Sequence, residues 1–323
     1  MKPVVGVVGC GRWGMTHLKT LNELKNKGLI SAIHACDIKP SKQVEASEFA
    51  DTFCTDWQTL VTNYQLDVVA IVTPADTHHD LALSILDHCR ALFIEKPIGL
   101  SQAEASSIIA KVQETGSRLL VGHILRFHEA IIEAMKVISS GEIGELQRIE
   151  FNRITTRQPP NNPNIFEAMA IHGIDTACYS FGELEPSRLS VSDLALNSDN
   201  YPINAKLSIE YPGMKEASVD VGWNGNKENR QIKYFGSNGN IVIETNTSSK
   251  LAIKTAENER LHVLDHSELP LTKEWQYLIQ SYENPSQQPI YPQPGAIIRS
   301  VKWVELANQL IHNASFELNK SIE

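Results

Sequence analysis

The chain has 323 residues, of which 42% are hydrophobic and 21% charged, the balance of a globular protein long enough to form two domains. Its formal net charge of −9 argues against binding to nucleic acid or to a membrane surface, because phosphate groups attract clustered Lys and Arg. A small molecule is the expected partner.

The five cysteines are widely spaced, odd in number and form no CxxC pair, so the sequence predicts neither a disulfide framework nor a metal site. The first apolar run stops at Gly9, which is too short for the core of a signal peptide or for a membrane span. We therefore predict a cytoplasmic protein with reduced thiols.

Residues 3–9 have the pattern of a buried parallel strand that runs into a glycine-rich turn and then a helix. In this turn Gly9 permits the tight bend, Gly11 leaves room for a pyrophosphate, and Gly14 lets the helix pack closely on the strand. The helix N-terminus at Arg12 and Trp13 would face the phosphates with free N–H groups. An ordinary strand-to-helix connection is the alternative.

Residues 30–36 predict a second strand that ends at Asp37, where a carboxylate can accept hydrogen bonds from an adenosine ribose. Strand, turn, helix, strand and acid in this order predict a dinucleotide site. We expect NAD rather than NADP, because Asp37 repels a 2′-phosphate. Lys39 or Lys42 could neutralise that phosphate, which keeps NADP as the less favoured cofactor.

The following elements alternate between helix and strand. The sequence predicts helices at 42–50, 56–63, 77–90 and 101–115, and apolar strands at 67–73, 91–95 and 118–121. This alternation predicts an α/β fold in which residues 1–122 form a Rossmann domain, a doubly wound parallel sheet with ligands at the carboxyl ends of its strands.

Residues 123–323 predict an α+β domain with a mostly antiparallel open sheet, because segments such as 205–210 and 241–244 alternate every two residues. Helices are expected at 127–140, 166–181, 273–282 and 296–312, and a turn-rich loop at 158–164. A broad sheet with helices on one face leaves its other face needing cover, so we expect a homodimer or homotetramer.

Four segments resemble, in order and spacing, the glucose–fructose oxidoreductase and inositol dehydrogenase (Gfo/Idh/MocA) family over nearly the whole chain. They are Thr73-Pro74-Ala-Asp-Thr-His78, Phe93-Ile-Glu95-Lys96-Pro97, Gly122-His123-Ile-Leu-Arg126-Phe127 and His172-Gly-Ile-Asp175. The resemblance implies hydride transfer between nicotinamide and a secondary alcohol of a sugar-like polyol. The third segment, with Gly141-Glu-Ile-Gly144, is similar to members that act on nucleotide-linked amino sugars; inositol or free-sugar dehydrogenase is the alternative within the family.

The resemblance implies that Lys96 binds substrate and transfers a proton beside the nicotinamide. Burial disfavours an ammonium ion and would let it exchange a proton near neutral pH. A solvated lysine at a strand end is the alternative. The residues around it are implied to contact the cofactor as well: Thr73, Pro74, His78, Glu95 and Pro97.

The resemblance also implies that His172 is catalytic, and an imidazole that titrates near neutrality can take the hydroxyl proton. Asp175 shares its helix face and is implied to hold substrate. A helix histidine held by a local carboxylate is an equal alternative. His123 and Arg126 are implied to meet nicotinamide or substrate, with an ion-paired arginine as the alternative.

The chain departs from the family at Ala168, four residues before His172, where members often have Asp or Asn. The adjacent Glu167 lies about 100° away round a regular helix. The missing carboxylate favours a different hypothesis, that the chain is a cofactor-binding regulator or scaffold without turnover. Lys96 and His172 argue against that hypothesis.

Overall fold

The computed structural model describes residues 2–159, 164–199, 201–247, 249–264, 268–284 and 286–320. The chain divides into two compact units: unit 1 contains Met1–Ile124 and Leu271–Val301, and unit 2 contains Leu125–Pro270 and Lys302–Glu323. The predicted second domain included everything from residue 123, so the two divisions differ by two residues at that boundary and at Leu271–Val301. Those residues belong to unit 1 because Trp275 stacks on Phe93, with ring centroids 5.1 Å apart.

Strands and helices are numbered in chain order. The strands are β1 (Val4–Val8), β2 (Ala32–Cys36), β3 (Thr52–Cys54), β4 (Val68–Ile71), β5 (Ala91–Ile94), β6 (Arg118–Val121), β7 (Leu146–Ile154), β8 (Arg188–Leu196), β9 (Pro202–Tyr211), β10 (Lys215–Gly222), β11 (Asn229–Gly236), β12 (Gly239–Glu244), β13 (Lys250–Thr255), β14 (Glu259–Val263) and β15 (Ile290–Tyr291). The α-helices are α1 (Arg12–Asn26), α2 (Gln43–Ala46), α3 (Trp57–Asn63), α4 (His78–Ile85), α5 (Gln102–Thr115), α6 (Glu129–Ser139), α7 (Ile171–Ser180), α8 (Pro270–Glu283) and α9 (Pro294–Lys320).

Unit 1 is a parallel sheet with the order β15-β6-β5-β4-β1-β2-β3, which confirms the predicted Rossmann fold. Its central strands β4 and β5 are buried at every residue, as their continuous apolar sequences require. The order reverses between β1 and β4, so the carboxyl ends of these strands form the switch point where such sheets bind ligands. The two-residue strand β15 pairs with β6 and was not predicted.

Unit 2 is a second sheet with the order β14-β13-β12-β11-β7-β10-β9-β8. Among the described strands of this second sheet only β7 and β10 pair in parallel, so the predicted mostly antiparallel sheet is confirmed. The core contains Ile131 of α6, Ile174 of α7 and Val219 of β10. Gly173 allows close approach of α7, since a Cβ there would lie 2.5 Å from Val219 Cγ1. Residues 160–163 of the predicted loop lie outside the described residues.

The segment predicted as one helix over 166–181 has two parts. Phe166–Ala170 forms a π-helical turn, in which the Ile171 N–H donates to the Phe166 carbonyl oxygen five residues back, and α7 follows it. A wider turn changes the angular spacing between residues before and after it, so the 100° offset of a regular helix does not apply to Glu167. Single π-turns are frequent at functional sites.

None of the helices in the described part of the chain is both long and apolar enough to span a membrane.

Candidate active site

The turn after β1 depends on its glycines. Gly9 has a φ of +101°, and a Cβ there would lie 2.6 Å from the Val72 carbonyl oxygen. A Cβ on Gly14 would lie 1.9 Å from the Gly9 carbonyl oxygen, so α1 can start against the turn only with glycine at this position. Gly11 differs, because a Cβ on it would meet no atom within 4 Å.

The N-terminus of α1 has the features of an anion site. Among the described residues no side chain caps it at Gly11, and open space lies on the Cβ side of that residue. Arg12 and Trp13 begin the helix and are exposed. Uncapped N–H groups at the positive end of a helix dipole bind phosphate. The residues present therefore fit a pyrophosphate group.

Asp37 connects the ends of β1 and β2. Its carboxylate accepts hydrogen bonds from the backbone N–H of Cys10 at 2.7 Å and of Lys39 at 2.9 Å. Each oxygen of a carboxylate can accept about two hydrogen bonds, so both oxygens retain capacity for a further donor such as a ribose hydroxyl. The acid predicted for the ribose is thus fixed beside the glycine turn.

Glu95 follows β5 and is buried, with 8% of its surface exposed. Its carboxylate connects the end of β5 to α1. Oε1 accepts from Trp13 Nε1 at 2.6 Å and faces His17 Nε2 at 2.9 Å, while Oε2 accepts from the Lys96 backbone N–H at 3.2 Å. Gly122 provides the space, since a Cβ there would lie 3.0 Å from Glu95 Oε1. The hydrogen-bond partners observed for Glu95 are groups of the protein itself. A contact between Glu95 and the cofactor stays a prediction.

The charge state of this cluster follows from its donors. Trp275 Nε1 donates to His17 Nδ1 at 3.2 Å, so His17 carries its proton on Nε2 and donates to Glu95. Burial raises the pKa of Glu95, but the hydrogen bonds from His17 and Trp13 and the charge of Lys96 outweigh it, so this pKa lies below its usual range. Glu95 is therefore ionised at neutral pH.

His78 is a buried residue whose ring lies between two backbone carbonyl groups. Nδ1 is 2.8 Å from the Pro97 oxygen and Nε2 is 2.9 Å from the Thr73 oxygen. Burial lowers the pKa of His78 despite both contacts, which favours a neutral ring with one N–H to donate. His78 therefore ties the loop after β4, which includes Pro74, to the segment that follows Lys96. The implied contact of His78 with the cofactor stays a prediction.

Lys96 follows directly after the buried β5 and Glu95 and is half-buried. The carboxyl ends of β1, β4 and β5 lie at one edge of a parallel sheet, so this lysine lies at the same edge as the glycine turn. His123 also lies in unit 1 and is buried, with Nε2 3.4 Å from Ser300 Oγ. This edge collects the predicted cofactor residues of unit 1.

In unit 2 the predicted substrate residues Arg126 and Asp175 form an ion pair with side chains that are each 3% exposed. Arg126 Nε lies 2.8 Å from Asp175 Oδ2, Nη2 lies 2.7 Å from Oδ1, and Nη1 lies 2.7 Å from Glu183 Oε1. Burial lowers the pKa of Arg126, but the charges and hydrogen bonds of Asp175 and Glu183 outweigh this effect. The pKa of Arg126 therefore lies above its usual range. The ion-paired alternative is therefore the one observed.

His172 is the second residue of α7 in unit 2 and is buried, about one helical turn before Asp175. Ala168 lies in the π-turn and presents only a methyl group. The Glu167 carboxylate accepts from Asn164 Nδ2 at 3.1 Å and from Asn308 Nδ2 at 3.3 Å. The catalytic role of His172 stays a prediction, and Ala168 supplies no carboxylate to it.

Sequence reasoning missed Trp13 and His17 as partners of Glu95. Their spacing of four residues places both on one face of α1, which is the signal that could have found them. Their partner on β5 lies 82 and 78 residues further along the chain, and no local pattern reports a contact of that range.

Comparison with known proteins gives consistent results. Residues 4–123 match the model of an oxidoreductase family with an NAD-binding Rossmann fold. The inositol 2-dehydrogenase of Rhizobium meliloti is 25% identical over 279 residues, which is 78% of each chain. The scyllo-inositol 2-dehydrogenase (NAD(+)) of Bacillus subtilis is 32% identical over 187 residues, 54% of this chain and 53% of that one.

A solved structure with a similar fold is the UDP-N-acetylglucosamine 3-dehydrogenase of Acidithiobacillus ferrooxidans, with a TM-score of 0.81 and 19% identity. The similarity covers 96% of this chain and 98% of that one, so it includes both units.

We expect Asp175→Asn to lower the free energy of unfolding by about 3 kcal/mol, because it leaves the buried Arg126 guanidinium without its bidentate partner. Glu183→Gln is the matched control and should cost less than about 1 kcal/mol, since the Glu183 side chain is 43% exposed. Urea unfolding followed by tryptophan fluorescence measures both. Equal losses for the two variants would contradict the ion-pair interpretation.

Proposed function

We propose that the chain is a member of the Gfo/Idh/MocA family of NAD(P)-dependent oxidoreductases that act on CH–OH groups, with a sugar, nucleotide sugar or polyol as its substrate. Nicotinamide, when bound, exchanges hydride with a secondary alcohol carbon. The single observation that carries this proposal is the position of Lys96, held by Glu95 at the sheet edge where the glycine turn also lies.

Two substrate classes are supported by different similarities. The fold similarity to a UDP-N-acetylglucosamine 3-dehydrogenase and the sequence motif at residues 122–127 favour a nucleotide-linked amino sugar. The names of two relatives favour inositol. A screen that follows NADH absorbance with UDP-N-acetylglucosamine, inositols and free sugars separates the two; turnover of none of them would count against the proposed class.

The proposed roles of the residues are separable. The backbone N–H groups after Gly11 bind pyrophosphate, and the Asp37 carboxylate accepts hydrogen bonds from the ribose. Lys96 holds the substrate hydroxyl and exchanges its proton, with His172 as the second proton carrier. Arg126 is proposed to act through its ion pair, which orients Asp175 on the helix that bears His172.

We expect NADH to bind more tightly than NADPH, because the Asp37 carboxylate repels a 2′-phosphate. Asp37→Asn keeps an acceptor for the Cys10 N–H but removes the charge, and should reduce the preference for NADH about tenfold, or about 1.4 kcal/mol. Fluorescence titration with both cofactors measures this. Asp87→Asn, an exposed acid before β5, should leave the preference unchanged. Wild-type NADPH affinity equal to that of NADH would reject the assignment.

Lys96→Met should bind NADH nearly as well as the wild type but lose roughly a hundredfold or more in kcat, the loss expected when a proton-transfer group is removed. Lys111→Met is the matched control, since Lys111 pairs with the exposed acids Asp87 and Glu114 of unit 1. Steady-state kinetics on a substrate found by the screen measures both variants. A wild-type rate for Lys96→Met would overturn the role and favour the regulator hypothesis.

His172→Ala should reduce kcat similarly. If Lys96 and His172 serve one proton path, the double variant loses less than the product of the two single losses. Fully multiplicative losses would show that the two residues act independently.

We expect a homodimer or homotetramer formed through the sheet of unit 2. On β7 the buried Ile149 and Phe151 alternate with the partly exposed Arg148 and Glu150, so the face away from the core carries charges of both signs. Arg148 and Glu150 form an ion pair with each other, and a second copy can cover this charged face. Light scattering should give at least twice the mass of one chain, and Glu150→Arg should reduce it. A monomer at micromolar concentration would refute this.

A cytoplasmic location is supported by the five cysteines, because none of them forms a disulfide bond in the described part of the chain. Free thiols are typical of reducing compartments.

A further inference from the structure

Glu274 is a fully buried acidic residue of unit 1. It lies on α8 at 0% exposure, beside the buried Leu271, Trp275 and Leu278. In the described part of the chain neither of its carboxylate oxygens has a hydrogen-bond partner. An unpartnered buried carboxyl group is rare because its desolvation is costly, and an ionised one costs far more than a neutral one.

One sequence neighbour of Glu274, Trp275, belongs to the cluster around Glu95. Trp275, the next residue, stacks on Phe93 of β5 and donates to His17 of α1, which in turn donates to Glu95. Glu95 is the charged group that acts on Glu274 among the described residues. The other titratable groups of the cluster are His17, whose ring contacts Glu95 and Trp275, and Lys96, whose charge acts on Glu95.

The two glutamates have opposite environments. Glu95 is provided with donors from Trp13, His17 and the Lys96 backbone, whereas Glu274 has none. Burial, and then the charge of Glu95, raise the pKa of Glu274 well above its usual range. Two carboxyl groups whose environments differ in this way separate into one ionised and one neutral acid.

We propose that Glu274 is a positioning residue that works as a neutral carboxylic acid, so that Glu95 keeps its hydrogen bonds to α1 and its place beside Lys96. The importance of this for turnover rests on the proposed function of Lys96. A second negative charge beside Glu95 would repel its carboxylate and separate it from Trp13 and His17. The neutral acid fills the same space without that repulsion.

The sign of the pH dependence follows from proton uptake. An unfolded chain releases the Glu274 proton near pH 4.3, the ordinary value for glutamate, whereas the folded protein retains it. Above that pH the folded state therefore binds one proton more than the unfolded state. The Glu274 contribution to stability is complete below pH 4.3 and is lost as the pH rises through the raised pKa of the folded state.

Glu274→Gln tests this because an amide of the same shape cannot ionise. Between pH 5 and 7 one proton changes the unfolding equilibrium constant about tenfold per pH unit. The unfolding equilibrium constant of the wild type should therefore increase with pH more steeply than that of Glu274→Gln. The extra increase should be about tenfold per pH unit. Glu48→Gln, at an exposed position of unit 1, should keep the wild-type slope. Parallel curves for wild type and Glu274→Gln would overturn the proposal.

Infrared spectroscopy tests the wild type itself. At pH 7 its spectrum should contain the carbonyl stretch of a protonated carboxylic acid, and Glu274→Gln should lack that band. A wild-type spectrum without the band would refute the proposal even if the variant failed to fold.

NADH binding tests the positioning role without any substrate. Glu274→Gln should bind NADH within about twofold of wild type at pH 7, while Glu274→Ala, which removes the packed group, should bind it at least tenfold more weakly. Loss of affinity in Glu274→Gln would show that the negative charge is needed and would overturn the neutral-acid role. A failed substrate screen with these results intact would reject the proposed function alone.

Discussion

A single buried carboxylate, that of Glu95, fixes the two parts of unit 1 that its chemistry needs. Its oxygens bind side chains of α1 and the backbone of Lys96, so the helix that follows the glycine turn and the end of β5 share one anchor. In a low-dielectric interior such hydrogen bonds are strong, and the same burial would be costly without them. The absence of a Cβ at Gly122 is as necessary as the donors, because it leaves room for the carboxylate.

The Rossmann sheet could be predicted because its signals are local. Apolar runs such as β4, the glycine turn and Asp37 each follow from backbone constraints on a short segment. The sequence could not show that α8 belongs to unit 1. An amphipathic pattern shows that one face of a helix is buried, but not which sheet that face packs against. The π-turn before His172 was missed for a similar reason, since one extra residue in a turn hardly changes an apolar pattern.

Prediction of the site was uneven for the same physical reason. Gly9 and Gly14 are specified by backbone approach, and the structure shows the contacts that exclude a side chain there. Arg126 has a side chain that either a substrate or an acid could satisfy, and its sequence cannot distinguish them. In the structure the Arg126 guanidinium donates to Asp175 of helix α7, so its hydrogen-bonding partner is an acid of the protein. Residue types with several possible partners need the tertiary structure.

The pair of Glu95 and Glu274 shows why composition alone says little about charge. Both are buried glutamates of unit 1, and an average over the sequence counts each as one negative charge. Indole and imidazole donors reach Glu95 because Trp13 and His17 lie one turn apart on α1, and no donor of the described chain reaches Glu274. The number of donors therefore decides which acid is ionised. The ionised acid in turn makes ionisation of its neighbour more costly, so one charge in this interior excludes a second.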